Sequence, residues 1–238
     1  MTERLYSKDI YTRGGYLETH PDWHAEDSPW KARQILKLFE RNGLSPKTIV
    51  EVGCGAGEIL SQLHAQLPGD CTLRGYEISP QAFALCSKRE SERLRFEHKD
   101  FLAEEGEPVD ALLCIDVVEH VEDCFDFLRR LRTKARFKVF HVPLDLSLQS
   151  VLRGTPLVAG RSAGGHIHYF TKDVALSLLA ESGYRVVDHF YTAGAIEAPG
   201  RGALKTLLAR PVRRFSFAVH QDLAARVFGG FSLMVLAE

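Results

Sequence analysis

Between Ile49 and Leu60 the chain reads IVEVGCGAGEIL, with glycines at 53, 55 and 57 and a carboxylate, Glu51, just before them. Glycines at this density let a ligand approach the main chain and present backbone N–H groups at a helix start, the chemistry of a nucleotide-cofactor loop. Three more carboxylates follow apolar runs: Glu77 after CTLRGY, Asp100 after LRFEHK, and Asp116 after VDALLCI. Glu77 lies 24 residues beyond Gly53, where a carboxylate accepts from both hydroxyls of a ribose. Candidate acid–base groups are histidines, which titrate near neutral pH: His24, His141, His166 and His168.

These residues need elements to hold them. From Lys47 onward, strand and helix patterns alternate. TIVEVG, CTLRGYEI, LRFEHKD, VDALLCID and RFKVFHV read as strands, separated by helices at 57–67, 80–90 and 121–134. Alternation of this kind implies right-handed crossovers and a parallel sheet covered on both faces. A ligand of such a sheet lies beyond the carboxyl ends of its strands, where the glycine loop, Glu77, Asp100 and Asp116 all fall. Upstream, DSPWKARQILKLFERNG reads as a helix capped by Asp27 or Ser28, with Pro29 in its first turn, an apolar side at Trp30, Ile35, Leu38 and Phe39, and a stop at Gly43. Residues 1–46 therefore form an arm and helix that serve as a lid or as a packed arm. The sheet domain spans 47–238.

After Pro143 the alternation lapses into a glycine-containing connection over 143–170, a place for function or motion. A helix at 172–182 capped by Thr171, the strand YRVVDHFYT and a closing strand FSLMVLAE follow. Between the last two strands, 194–229 is a basic, largely helical insertion in which Pro211 should sit at a break or a first turn.

A net charge of -1 supplies no global field for nucleic acid or an anionic membrane. No stretch reaches the roughly 20 apolar residues of a membrane span, and the N-terminus lacks the apolar region of a secretory signal. Five cysteines (54, 71, 86, 114 and 124) show no CxxC spacing, which favours reduced thiols and a cytoplasmic setting.

The glycine order separates two cofactor classes. A GxGxxG dinucleotide fingerprint from Gly53 would want a glycine where Glu58 stands, and Glu51 suits a cationic amino-acid moiety better than a pyrophosphate. With VEVGCGAG, GYEIS, KDF at 99–101, DVVEHVED at 116–123 and HIHYFTKDVALSLLAESGYRVV at 166–187, the chain resembles class I S-adenosylmethionine-dependent methyltransferases of the ubiquinone-biosynthesis-like branch (type 11/23-like). The likeness spans roughly 47–192 and the last strand. It implies an α/β, Rossmann-like three-layer sandwich with a seven-stranded, mostly parallel sheet whose last strand is antiparallel beside the sixth.

By position, the resemblance implies that Glu51, Val52, Gly53, Cys54, Gly55 and Gly57 hold the methionine and ribose portions of S-adenosyl-L-methionine, and Glu77 the ribose hydroxyls. Ile78 would pack on adenine, Asp100 and Phe101 would engage it, and Asp116 with Val117 would line the methionine side. The same cofactor would leave as S-adenosyl-L-homocysteine. The expected acceptor is a small molecule, most readily through oxygen (a saccharide, polyketide or quinone-like compound). N- or C-methylation, a non-catalytic cofactor-binding protein and an NAD oxidoreductase are the alternatives.

Methyl transfer needs alignment and exclusion of water, and a base only when the acceptor arrives protonated. His141 and His166 are the expected bases, with Tyr16, His24, Trp30 and His168 as substrate-side residues. HxH at 166–168 lacks partners at a metal-binding spacing, so no metal is expected. The basic stretch 201–228 is expected to pack on the sheet, to form a dimer contact or to touch a surface.

Overall fold

The computed structural model describes residues 25–198 and 204–238. Tyr16, His24 and most of the N-terminal arm lie outside the described residues. Seven strands form a single sheet: β1 (Thr48–Val52), β2 (Thr72–Glu77), β3 (Leu94–His98), β4 (Val109–Ile115), β5 (Ala135–Pro143), β6 (Val186–Thr192) and β7 (Ser232–Ala237). Their order is β3-β2-β1-β4-β5-β7-β6, parallel from β3 to β5, with β7 inserted antiparallel between β5 and β6. The strand order reverses between β1 and β4, and the crevice there is where a sheet of this kind holds its ligand.

Alternation along the strands divides the core into two layers. Val50, Val52, Leu112, Cys114, Phe140 and Val235 pack with helices α4 (Cys124–Leu131), α7 (Lys172–Glu181) and α10 (Gln221–Phe228) on one face. Ile49, Leu73, Leu113, Val139 and Met234 pack with α1 (Ser28–Arg41) and α2 (Glu58–Gln66) on the other. The three layers and the antiparallel last strand match the expectation from sequence.

Several boundaries differ, each for a local reason. Pro29 opens α1, but Asp27 does not cap it, because its carboxylate is taken by Lys31 at 2.9 Å. The expected helix 80–90 is α3 (Pro80–Cys86) followed by a 3-10 turn. The helix expected at 121–134 is shorter: α4 begins only after Asp123, whose side chain caps the Asp126 amide at 2.9 Å, and a separate 3-10 turn at Val118–His120 precedes it. The 143–170 connection holds α5 (Leu148–Arg153), started by a Ser147–Ser150 capping box, then α6 (Thr155–Ala159) and a π turn at Gly160–Gly164. In the insertion, α8 (Gly194–Glu197) precedes α9 (Leu204–Val219), and α9 runs through Pro211 rather than breaking there. The exposed proline costs that helix one backbone hydrogen bond without ending it.

Tyr184 ties the entry of β6 to α4 and β5, donating its hydroxyl to the Leu128 carbonyl at 2.6 Å and meeting Phe140 edge-on. Removing that buried bond in Tyr184→Phe should cost about 1 kcal/mol, read as a lowered urea midpoint with an unchanged m-value.

Candidate active site

A cavity of about 620 Å³ opens at the carboxyl ends of β1, β2, β4 and β5. Glu51, Val52, Gly53, Cys54, Gly55, Glu77, Ile78, Asp100, Phe101, Asp116 and Val117 line it, as do Trp30, His141 and His166. Two expected residues do not. Gly57 starts α2 at φ +73°, where a Cβ would sit 2.6 Å from the Phe96 ring, so this glycine serves close packing behind the loop. His168 turns away, its Nε2 donating to the Val121 carbonyl at 2.9 Å, and fixes the turn before α4.

The glycine loop spends its amides internally. Gly53 and Cys54 donate to the Tyr76 carbonyl at 2.9 and 3.1 Å, Gly57 donates to the Cys54 carbonyl at 2.9 Å, and Gly55 donates to Glu77 at 2.8 Å. With those four N–H groups committed, the loop is not a pyrophosphate cradle. What it presents is close-approach backbone flanked by carboxylates. Glu77 is clamped by Gly55 and by the Ser79 amide at 2.7 Å, which leaves each carboxylate oxygen able to accept a further bond. Burial raises its pKa against those backbone donors. Asp100 spends one oxygen on the Leu102 amide at 2.9 Å, and Phe101 is buried against Tyr76.

At the end of β4, Asp116 is the one non-glycine among the described residues with positive φ, +53°. Such a backbone is costly and must be held by its surroundings. Its Oδ2 accepts from the Lys31 ammonium at 2.9 Å and its Oδ1 meets His141 Nδ1 at 2.6 Å. Burial works to raise the carboxyl's pKa, but His141 and Lys31 overcome it and hold it well below the usual carboxylate range. Burial likewise opposes the charge on Lys31, and Asp116 with Asp27 more than restores it, so its pKa rises.

His141 lines the cavity as expected, yet its other nitrogen, Nε2, is 2.8 Å from the Thr192 hydroxyl. With both nitrogens engaged and the ring 2% exposed, His141 orients Asp116 and has no nitrogen left for an acceptor. Trp30 meets His141 edge-on and donates its indole N–H to Glu197 at 2.9 Å, joining α1 to α8.

The acceptor side is built from three segments. The Glu119 carbonyl accepts from the Ile167 and His168 amides at 2.9 and 3.1 Å, which brings His166 beside the 118–120 turn. His166 Nδ1 lies 2.6 Å from Asp145, and His120 Nδ1 lies 3.1 Å from the Gly165 carbonyl. A carbonyl only accepts, so the His120 proton is on Nδ1. Glu119 is fully buried with neither carboxylate oxygen hydrogen-bonded, and burial and Asp116 push its pKa well up. One ligand-capable atom each from Glu119, His120 and His166 lies within 4.8 Å of the others, a cluster that could hold a metal ion.

Spacing within HxH could not show this cluster, because two of its members come from the 119–120 turn. Lys31 and Asp145 also escaped the sequence reading. For Lys31 the available signal was a cation in register with Ile35 and Leu38 on an apolar helix face. For Asp145 there was none.

A Rossmann-like sheet with a cavity at the β1/β4 switch point, a non-phosphate glycine loop and a ribose-type carboxylate defines the S-adenosylmethionine-dependent methyltransferase class. A family profile described as a methyltransferase domain matches residues 23–189, and the chain belongs to that family. It is an enzyme, and its cofactor is S-adenosyl-L-methionine. A curated relative, the mitochondrial ubiquinone biosynthesis O-methyltransferase of Schizosaccharomyces pombe, is 36% identical over 107 residues, which take in 41% of this chain and 37% of that protein. Among solved structures, the magnesium protoporphyrin IX methyltransferase of Synechocystis PCC 6803 with bound S-adenosylmethionine superposes at a TM-score of 0.59, with 12% identity over 100% of this chain and 99% of that one. A Haloferax volcanii putative methyltransferase in complex with the Trm112 activator superposes at 0.64, with 13% identity over 98% and 96%. At these identities the superpositions speak for the fold.

Two outcomes follow from this geometry. Glu77→Ala should weaken S-adenosylhomocysteine binding roughly 10- to 100-fold by calorimetry, the worth of hydrogen bonds to a charged group. Burial first, then the neighbouring His166, lowers His120 to about 4, against 6.5 when unperturbed. Between those values the unfolded chain binds the proton that the folded one refuses. Stability therefore falls as pH drops from 6.5 toward 4. Melting curves across that range should show a flatter pH dependence in His120→Gln than in the parent.

Proposed function

We propose that this methyltransferase acts on a hydroxyl oxygen of a small molecule, with His166 as the general base. The carrying observation is the Asp145–His166 pair at 2.6 Å on the cavity wall. Asp145 holds the Nδ1 proton, so Nε2 presents its lone pair, and it steadies the imidazolium once the ring takes the acceptor's proton. The acceptor oxygen then attacks the methyl carbon in line, the carbon–sulfur bond breaks, and a neutral thioether departs. Charge on the sulfonium disappears during this step, so the protein's share is alignment and a dry site more than stabilisation of new charge.

The cofactor's amino-acid end finds both signs it requires. Glu51 is 1% exposed, one of its oxygens lacks a partner, and burial raises its pKa well up. An α-ammonium set there would supply the missing donor. Lys31, with two of its N–H groups on Asp27 and Asp116, has a third for the carboxylate. Glu77 takes the ribose, with Ile78, Asp100 and Phe101 on the adenine side. Trp30 forms part of the acceptor wall. The acceptor is quinone-like in preference to a saccharide or polyketide, a choice supported by the activity named for the Schizosaccharomyces pombe relative. Five free, buried thiols suit a reducing compartment, in keeping with a cytoplasmic setting.

A second reading rests on Glu119, His120 and His166 as ligands of a divalent cation. It is favoured by Glu119 oxygens that accept no hydrogen bond, with Oε1 facing His120 Nε2 at 3.8 Å, and by ring protons held on Gly165 and Asp145, the outer-sphere arrangement of metal-binding imidazoles. A cation there would supply Lewis-acid activation of the acceptor hydroxyl.

The two readings separate experimentally. With a phenolic acceptor panel and labelled S-adenosylmethionine, His166→Ala and Asp145→Asn should lower kcat by about 10²- to 10⁴-fold and leave S-adenosylhomocysteine affinity intact. Under the base reading the parent is indifferent to EDTA. Loss of turnover in EDTA, restored by added divalent cation, selects the second reading. Full turnover by His166→Ala across pH would remove both.

A further inference from the structure

The 143–170 connection and the insertion meet on the outside of the molecule. Arg213 of α9 reaches across to donate to Gln149 of α5 at 3.1 Å and to the Phe228 carbonyl at 3.2 Å. Arg153 is near enough to help burial depress the Arg213 pKa. On this shared surface the helices turn their apolar residues outward. Leu148, Val151 and Leu152 of α5 are 54%, 57% and 77% exposed, and Val212, Phe215 and Val219 of α9 are 55%, 73% and 69% exposed. Both sets follow helical spacing (i, i+3, i+4 and i, i+3, i+7), so each helix carries an apolar stripe that faces away from the core. Large exposed aliphatic and aromatic patches mark an interaction site.

The two helices that carry the stripes bear charge of one sign, and the one carboxylate of the adjoining α10, Asp222, is paired with Lys172 and Arg226. Arg153, Arg161 and Arg214 are exposed, and α9 contains no carboxylate. In the 144–170 connection the one carboxylate is Asp145, which is turned to His166 in the cavity. The chain as a whole is nearly neutral, at -1, so this cationic face is a local feature. An apolar stripe bordered by arginines is the complement of an anionic lipid surface, with side chains entering the acyl boundary and guanidinium groups at the headgroups. A second copy of this chain fits poorly. In an isologous contact the same arginines would face each other without counter-charge. Nucleic acid would use the arginines and leave the six apolar side chains in water.

We propose that the face formed by α5 and α9 is a docking surface for an anionic phospholipid bilayer. Asp145 and His166, at the two ends of the segment that carries α5, both line the cavity. Docking therefore sets the acceptor side of the cavity at the lipid interface. The proposal does not depend on which side chain is the base.

The test is flotation of the full chain with vesicles of phosphatidylcholine, with and without phosphatidylglycerol, alongside S-adenosylhomocysteine calorimetry on every variant. The expected result is flotation with the anionic vesicles, weakened by added salt. Leu152→Glu with Phe215→Glu should abolish it, and Arg153→Gln with Arg214→Gln should weaken partitioning about thirtyfold, with cofactor affinity unchanged in both. Failure of the parent chain to float with anionic vesicles would overturn the proposal, as would equal flotation of the parent and the Leu152→Glu, Phe215→Glu pair. A concentration-dependent dimer by light scattering that the glutamate pair dissolves, without flotation, would assign the face to a second copy instead.

Discussion

The buried charge cluster at the end of β4 is the constraint on which the rest of the site depends. Asp116 sits in a left-handed backbone that a side chain adopts only under duress, and it is held there by Lys31 on one oxygen and His141 on the other. Burying a lone carboxylate or ammonium is expensive, and burying the two together is tolerable only when hydrogen bonds are well made. Here each partner comes from a different element: Lys31 from α1, Asp116 from β4, His141 from β5, with Thr192 of β6 behind the imidazole. The cluster thus clamps four pieces of chain around one end of the cavity. Its electrostatics decide the registration of the helix that carries Trp30, and so the wall that an acceptor would meet.

Cofactor and acceptor halves of the site are built on different principles. The cofactor half is rigid backbone, with loop amides consumed internally and Glu77 clamped by two N–H groups. The acceptor half is made of side chains on the 118–120 turn and the 143–170 connection, joined by backbone bonds from Glu119 to residues 167 and 168. Binding a constant ligand with main chain and a particular one with side chains lets the second change without disturbing the first.

That division also explains what was legible in the sequence. Strand order aside, the sheet could be read from alternating patterns, because period-2 burial and helical periodicity are local properties. Gly53, Glu77 and Asp116 could be read because each lies at a strand end whose position the pattern determines. Asp145 could not, since its partner is 21 residues away across two helices whose presence the glycines masked. His141 was placed correctly in space but not in its partners, because Thr192 enters from a strand that topology, not sequence distance, brings near. The cluster of Glu119, His120 and His166 depends on a 3-10 turn at 118–120, ahead of the expected helix, where the pattern specified no conformation. Pro211 misled in the opposite direction, suggesting a break in a helix that continues.

The placement of β7 bears on how the chain acquires its shape. Strands β1 to β5 can pair as they are made, since each finds a neighbour already present in the order β3-β2-β1-β4-β5. β6 has no such neighbour. Its pairing partner is β7, which also provides its link to β5, and β7 comprises residues 232–237, some 40 positions later. Until that segment leaves the ribosome, β6 and the outer edge of β5 remain open, with hydrophobic residues such as Phe140 next to an unfilled slot. Contacts of such long sequence separation close slowly, and an open edge in the interim invites pairing with other chains. Synthesis of β7 is therefore the event that completes a half-built sheet, filling the slot between β5 and β6 that would otherwise invite aggregation.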